Sequence, residues 1–570
     1  MTLIVQRKVS AAAEQHLHTE GLSPLMARLL AARGVTQATE LSANLSGLIP
    51  PQLLTNNFAM AKLLADAIGS NKKLLVIGDY DADGATATAV AVKGLSAFGA
   101  NVDFLVPNRF EYGYGLTPEI VALAAMQKPD VIITVDNGIA SVDGVAAANK
   151  LGIQVLITDH HLPGMETPQA ACIINPNQHG CDFPSKHLAG VGVMFYGLLA
   201  LRAELRERGD YKEKPEPNLT ELLDLVALGT VADLVKLDTN NRILVEQGLR
   251  RIRAGACSKG ISALLNVSGR QYQTTNAQDL GFYVGPRLNA AGRLDDMTLG
   301  IKCLLAESDT EATKIAQQLQ DLNLQRRSIE ADMQDGANVS LDDIDVANQF
   351  TISMYQPEWH QGVIGILASR IKERFHRPVI AFAEANDGML KGSGRSIAGL
   401  HLRDALDLLS KHQPDLIVKF GGHAMAAGLT IRLADFERFN QSFEIVVKSL
   451  ITEADLESVL EVDGGLLGKD MSFETAHTLE KLVWGQGFAP PLFYDRFEVV
   501  NQRVLGEKHL KLTLKLVSHA DSTSPAPVID AIYFNQSEFL DGAIQAAYQL
   551  QTNIYNGTQK VQLNIKHIAA

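Results

Sequence analysis

The sequence predicts a mainly α/β protein, with two α/β regions joined by a long helix and followed by a small β-barrel. Three observations predict it. Apolar runs at 73–78, 102–106, 130–135 and 153–158 alternate with helical stretches near 85–98, 117–127 and 140–151, the spacing of right-handed βαβ units in a parallel sheet. Residues 307–336 are polar, hold neither Pro nor Gly before Gly336, and repeat apolar residues at helical spacing. Over 460–570, segments such as His509-Leu-Lys-Leu-Thr-Leu-Lys and Val561-Gln-Leu-Asn-Ile alternate as strands do. The division that follows is a helical and loop segment at 1–70, an α/β domain at 71–300, the connecting helix at 301–340, a second α/β domain at 341–455 and the barrel at 456–570.

At 570 residues the chain exceeds what one core usually organises. Hydrophobic content of 46% and charged content of 20% are those of a soluble globular protein. No apolar run approaches the roughly 20 residues that span a bilayer, and Met1 to Ser10 lacks a signal peptide's apolar stretch, so a cytoplasmic protein without a membrane partner is expected. Cys172, Cys181, Cys257 and Cys303 form no CxxC pair and read as reduced thiols; Cys181 with His179 and His187 fits no standard zinc spacing. A net charge of -13 argues against a generally sticky nucleic-acid binder. It leaves room for a local track: residues 241–300 carry eight Lys/Arg against four acids, an excess of +4.

Taken in order, residues 1–70 read as helix and loop, with Pro50 and Pro51 as breakers and a helix over 58–68. The first strand ends in Asp79, Asp81 and Asp83, which point the same way if the chain stays extended, and no Lys or Arg lies between Lys73 and Lys93. Such a hard-ligand cluster suits Mg²⁺ or Mn²⁺; the alternative is an acidic turn in which Asp83 caps the next helix. Strand 130–135 runs into Asp136-Asn-Gly and strand 153–158 into Asp159-His-His. Three strands thus deliver carboxylate or imidazole at the edge where open α/β sheets bind ligands. Residues 187–208 and 219–253 read as helices, the second containing Asp233, which taken alone is a loop acid facing solvent. The second α/β region opens with a strand at 350–354. It carries His360-Gln-Gly-Val-Ile-Gly, Lys391-Gly-Ser-Gly-Arg-Ser and Phe420-Gly-Gly-His-Ala-Met-Ala-Ala-Gly, which read as Gly-rich turns able to bring backbone N–H groups close to a phosphate. The C-terminal strands suit a barrel of the OB type.

Asp79-Tyr-Asp-Ala-Asp-Gly, Val135-Asp-Asn-Gly, Asp159-His-His and Gly229-Thr-Val-Ala-Asp resemble, in order and spacing, the four motifs of the DHH phosphoesterase superfamily. Gly392-Ser-Gly-Arg-Ser and Gly421-Gly-His-Ala-Met-Ala-Ala-Gly resemble the DHH-associated domain. Gly285-Pro-Arg-Leu-Asn-Ala-Ala-Gly-Arg is similar to the motif of the RecJ branch, the single-stranded-DNA-specific exonucleases. The resemblance covers about residues 40–570. It implies a DHH catalytic domain, a DHH-associated substrate-binding domain and an OB-type nucleic-acid-binding domain.

The resemblance further implies a site with two ions, Mn²⁺ or Mg²⁺. Asp81, Asp83, Asp136, His160 and Asp233 match ligand positions, with Asp136 bridging. Asp79 matches a further ligand, where other branches use a histidine at another offset. A neutral imidazole at His160 tilts the choice toward Mn²⁺. His161 is expected at the substrate phosphate or the attacking water, with Asp159 orienting the histidines. Arg109, Ser393 and Arg395 are expected around a 5′-terminal phosphate, Arg287 and Arg293 along the strand, and His423, beside Gly421 and Gly422, at the scissile phosphate. Lys508, Lys511 and Lys515 extend the track, with Phe493 or Tyr494 as stacking platforms. One departure is Gly487-Phe-Ala-Pro-Pro-Leu-Phe, where the family often has a Gly-Asn-Pro-Glu-Pro type turn.

The expected activity is a 5′→3′ exonuclease on single-stranded DNA that releases 5′-mononucleotides, acts in recombination and repair as a monomer, and works with a single-strand-binding protein and a RecQ-type helicase. Two rivals stand beside it. A small-molecule phosphoesterase of the superfamily lacks the Arg287 motif and the barrel, and a non-catalytic scaffold loses ligands, whereas every ligand position is filled here.

Overall fold

The computed structural model describes residues 2–112, 114–342, 348–517, 526–555 and 558–569. Strand β1 (Thr2–Gln6) opens the chain, in a segment read as helix and loop. The helix Asn57–Gly69 leads into the first sheet. Its strands are β2 (Lys73–Gly78), β3 (Asn101–Leu105), β4 (Val131–Val135), β5 (Gln154–Thr158) and the short β6 (Cys172–Ile174). All pair in parallel in the order β3-β2-β4-β5-β6. The central runs Leu-Leu-Val-Ile and Val-Ile-Ile-Thr-Val are buried throughout, as strands covered on both faces require. One face packs Leu75, Ile77, Ile132, Val155 and Ile157 against Ile120, Val121 and Val145.

This strand order makes a topological switch point. The chain leaves β2 for β3 on one side and returns to β4 on the other, so a crevice opens at the carboxyl ends of the strands. Gly78 pairs with Val135, and Val135 with Thr158, so Asp79, Asp136 and Asp159 leave the sheet at one level.

The stretch 219–253, read as one helix, is interrupted. Helices Leu223–Ala232 and Thr239–Arg253 are separated at Asp233 and Leu234, the latter at a positive φ of 58°. Asp238 then caps the second helix by accepting from Asn241 N at 2.9 Å.

By its packing the chain separates into two compact units, Gln6–Asp321 with Val462–Ala570, and Met1–Val5 with Leu322–Glu461. A 34-residue helix, Asp309–Asp342, runs from the first unit into the second. The second unit holds a mixed sheet of β7 (Ile352–Tyr355), β8 (Val379–Ala385), β9 (Met389–Arg395), β10 (Lys419–Gly422) and β11 (Ala426–Arg432), ordered β10-β11-β9-β8-β7. Only β7 and β8 run parallel. Lys391-Gly-Ser-Gly-Arg lies on strand β9, not on a turn. The glycine at 392 serves packing, since a Cβ there would lie 2.5 Å from the Phe382 ring. Strand β12 (Ser458–Val462) pairs with β1.

The barrel closes as β13-β14-β15-β17-β16 from β13 (Phe493–Leu505), β14 (His509–Leu516), β15 (Val528–Tyr533), β16 (Ala543–Tyr555) and β17 (Thr558–Ala569). Its β15–β17 pairing is parallel and the rest antiparallel. The helix Phe473–Lys481 precedes it, within a stretch read as all-β. Phe493 is fully buried with Phe497 and Tyr548, so it is barrel core and no stacking platform; Tyr494 is half-buried and its hydroxyl donates to Gln545. Among the described residues, no helix is long and apolar enough to cross a membrane.

Candidate metal centre

The acidic loop after β2 does not stay extended. Helix Ala82–Ala97 begins inside it, because Asp81, in an extended conformation, accepts from Gly84 N at 2.9 Å and caps the helix. The cap is therefore Asp81 and not Asp83. Asp83 lies in the first turn of this helix and reaches a different one: its two oxygens accept from Gly190 N at 2.6 Å and Val191 N at 2.9 Å, the first amides of helix Gly190–Arg208. That helix comes very close. A Cβ on Gly190 would lie 2.5 Å from Asp136 Oδ1, so only glycine fits. Asp136 itself sits at a positive φ of 62°, a left-handed conformation that Asp tolerates better than most residues.

Asp159 is 1% exposed and fully engaged. Its Oδ1 accepts from His160 N at 2.7 Å, His161 N at 3.1 Å and His161 Nδ1 at 2.8 Å, and its Oδ2 accepts from Ile139 N at 2.9 Å. Asn175 and Asn177, just beyond β6, hold the carbonyls of His161 and His160 at 2.9 and 2.6 Å. The backbone of both histidines is thus held from two sides and the His161 ring by Asp159, while His160 Nε2 lies 3.1 Å from Asp136 Oδ1 and 3.5 Å from Asp233 Oδ2.

Three overlapping donor sets result: Asp79, Asp81 and Asp136; Asp83, His160 and Asp233; and Asp136, His160 and His161, each with its atoms within 4.8 Å of one another. The first two share no residue, and the 3.1 Å approach of Asp136 to His160 joins them. This donor chemistry fits hard divalent ions. Asp136 Oδ1 is buried and, among the described residues, accepts no hydrogen bond, as expected of an oxygen whose lone pairs are kept for a cation. Burial, then the charges of Asp83 and Asp81, hold the Asp136 carboxyl well above the usual carboxylate range, and Asp233 is raised by burial and the same two neighbours. Burial, then the Asp81 charge, push Asp83 up to about 7 against the two amide hydrogen bonds it accepts. Burial also opposes ionisation of Asp159, yet its hydrogen bond to His161 and the charges of both histidines hold it low. For His161, burial is outweighed by the hydrogen bond and charge of Asp159, and the imidazole is raised to about 9.

The other predicted positions lie elsewhere. The side chain of Arg109 lies outside the described residues. Arg287 is buried, with its guanidinium bonded to Tyr283 O, while Arg293 is half-buried in the last turn of helix Gly285–Leu294. In the second unit Arg395 donates to Ser393 Oγ at 3.2 Å, and both side chains lie against Gly365 in the first turn of helix Ile364–Phe375. Gly421 and Gly422 end β10, with Gly422 at a φ of 145°, and exposed His423 begins the turn to β11, its amide donating to Ala426 O at 2.8 Å.

Sequence reasoning passed over Tyr114, Gly190 and Asn289. The Tyr114 hydroxyl lies 3.2 Å from the His161 ring nitrogens and its ring packs edge-on against Tyr80. Nothing local marks Tyr114 or Gly190; Asn289 lies within Gly285-Pro-Arg-Leu-Asn-Ala-Ala-Gly-Arg, whose arginines carry the charge that signals a phosphate contact.

Fold and site together are those of a metal-dependent phosphoesterase of the DHH class. The DHH family N-terminal domain matches residues 73–230, the DHHA1 domain residues 347–449 and the RecJ OB domain residues 462–567. The chain is 50% identical to the single-stranded-DNA-specific exonuclease RecJ of Dickeya dadantii, over 100% of both proteins. It is 49% identical to that of Escherichia coli, over 96% of each. The crystal structure of Thermus thermophilus RecJ in complex with Mn²⁺ is similar over 100% of this chain and 79% of that one, with a TM-score of 0.82 at 29% identity. The Mg²⁺ complex of the same protein gives 0.77 at 27% identity, over 100% and 78%. The chain belongs to the RecJ family of single-stranded-DNA-specific exonucleases.

Proposed function

We propose that this chain degrades single-stranded DNA from the 5′ end, releasing 5′-mononucleotides by metal-dependent phosphodiester hydrolysis in recombination and repair. The observation that carries the reading is the intact donor set at the sheet's switch point: Asp79, Asp81, Asp83, Asp136, His160 and Asp233. These residues would hold two ions, Mn²⁺ or Mg²⁺, with Asp136 available to either. Bound there, such ions supply Lewis acidity toward a phosphate and acidify a coordinated water. The chain's own groups do the rest. Asp159 Oδ1 accepts the hydrogen bond of His161 Nδ1–H, which leaves Nε2, 3.2 Å from the Tyr114 hydroxyl, to meet a phosphate oxygen or carry a proton.

Phosphates of the strand are assigned to Arg109, to Ser393 and Arg395, to His423 with Gly421 and Gly422, and to Arg287 and Arg293. Residues 71–300 form the catalytic domain in this reading, 341–455 bind substrate, and 456–570 bind nucleic acid through Lys508, Lys511, Lys515 and Tyr494. The DNA preference rests on likeness to relatives named single-stranded-DNA-specific exonucleases, and strand polarity on the family resemblance. An enzyme confined to single strands needs them supplied and kept open. The family resemblance implies a RecQ-type helicase and a single-strand-binding protein, and these are the proposed partners of a cytoplasmic monomer.

The test uses single strands labelled at the 3′ end, carrying a 5′-phosphate or a bulky 5′ block, with Mn²⁺ and Asp136→Ala as control. The expected result is a ladder shrinking from the 5′ end, slowed by the block and lost in Asp136→Ala. A folded, Mn²⁺-bound protein that leaves the strands intact overturns the reading.

A further inference from the structure

The helix Gly285–Leu294, entered through a π-helical turn at Leu280–Val284, packs against the loop that carries Asp79, Asp81 and Asp83. Asn289 Oδ1 accepts from Ala82 N at 2.8 Å. Ala82 opens the helix that carries Asp83, and its amide is one of the four at a helix start that have no partner within the helix. One turn on, Gly292 meets the same loop: a Cβ there would lie 1.9 Å from Tyr80 O. Earlier in the segment, Cβ atoms on Gly281 and Gly285 would lie 3.2 Å from Val231 and 3.3 Å from Ala232, beside Asp233. A single stretch therefore abuts both acid-bearing segments, the loop from Asp79 to Asp83 and the helix end at Asp233.

We propose that Asn289 and Gly292 are positioning residues of the metal centre: they hold the Tyr80–Ala82 backbone in the register that lets Asp79, Asp81 and Asp83 converge, and so set the affinity for the ions. The inference rests on the metal-dependent reading above. Removing the Asn289 oxygen leaves the nearly buried Ala82 amide without its partner, and the loop moves to satisfy it. A methyl at 292 pushes the Tyr80 carbonyl away directly. Partners of this kind, which hold ligands without touching the ion, typically govern about 10- to 100-fold in metal affinity. The motif then carries, besides the arginines at 287 and 293, a loop clamp at 289 and 292.

The experiment titrates Mn²⁺ into DNA-free, full-length protein, reading free Mn²⁺ by its electron paramagnetic resonance, with folding followed by metal-free thermal melting. Asn289→Ala and Gly292→Ala are each expected to weaken Mn²⁺ binding about 10- to 100-fold. Asn289→Asp keeps the accepting oxygen and is expected to bind at least as tightly as the unaltered protein. In activity assays the Mn²⁺ needed for half-maximal rate rises by more than kcat falls, and KM for DNA moves little. If Asn289→Ala does not fold, Asn289→Ser, whose hydroxyl is too short to reach Ala82, carries the comparison with the same loss expected. A folded alanine or serine variant within twofold of the unaltered affinity, or an aspartate variant as weak as the alanine, overturns the proposal. Absence of Mn²⁺ binding by the unaltered protein overturns instead the reading on which it rests.

Discussion

At the edge of the parallel sheet, acids are crowded and buried: Asp79, Asp83, Asp136 and Asp159 are each at most 7% exposed, and burial with mutual repulsion raises Asp83 and Asp136. On the mixed sheet, β9 spaces Lys391, Ser393 and Arg395 two residues apart along a half-exposed face, beside the small residues Ala426 and Gly428 of β11. The first arrangement stores electrostatic cost that a cation relieves. The second leaves its polar side chains half-exposed and in reach of water, so it carries no comparable desolvation cost. Both are polar sites, yet one is completed by what it binds while the other stands complete without it.

Three experiments break or sharpen that contrast. The largest effect is expected from Asp136→Asn, which retains the left-handed backbone but removes a charge. A loss of several kcal/mol of charge stabilisation implies a fall in kcat of about 10³-fold or more. The same variant melts above the unaltered protein in chelator, because one repelling acid is gone. A lower metal-free melting temperature contradicts the stored-cost account.

Arg395→Ala, on the other sheet, is expected to raise KM for 5′-phosphorylated strands about 10- to 100-fold, as losing charge-assisted hydrogen bonds does, with metal affinity and metal-free melting unmoved. On strands with a 5′-hydroxyl the difference disappears. Steady-state kinetics on the two substrates decide it.

The smallest effect is on stability against pH. Asp83 rises from an ordinary value near 3.8 to about 7 in the folded protein, so its contribution is full below the lower value and is lost as pH climbs through the upper one. Asp136 and Asp233 act in the same direction, and so does His161, whose contribution is lost as pH climbs through about 9. Metal-free protein should therefore melt progressively lower from pH 5 to pH 8, and saturating Mn²⁺ should flatten that slope. A metal-free melting temperature that rises over this range refutes the assignment.

Much of the first sheet was legible in the sequence because β2, β4 and β5 are apolar runs of Leu, Val and Ile, each ended abruptly by a polar loop, and that contrast is local. Residues Asp79, Asp136, Asp159 and His160 could be placed at one edge for that reason. What escaped depends on partners far along the chain. Asp81-Ala-Asp83 alternates like a strand, but the helix start at Ala82 is held from outside by Asn289, 207 residues away. Lys391-Gly-Ser-Gly-Arg looks like a turn because glycines usually mark one; here Gly392 clears space for Phe382 on the neighbouring strand and Gly394 for Leu402. The break after Ala232 falls on Leu234 rather than on Gly or Pro, so it carries no local signal. Strand β1 is defined by β12, some 450 residues later, and could not be read from its own five residues.

The positive φ of Asp136 bears on how this chain can lose its activity by mutation. Only glycine, asparagine and aspartate occupy that backbone conformation readily. Asparagine and glycine codons are each a single base change from an aspartate codon. Mutational drift can therefore silence the centre without disturbing the fold, and among inactive descendants of this scaffold position 136 should be filled mainly by asparagine or glycine, with the remainder of the acid cluster left as a fossil around it.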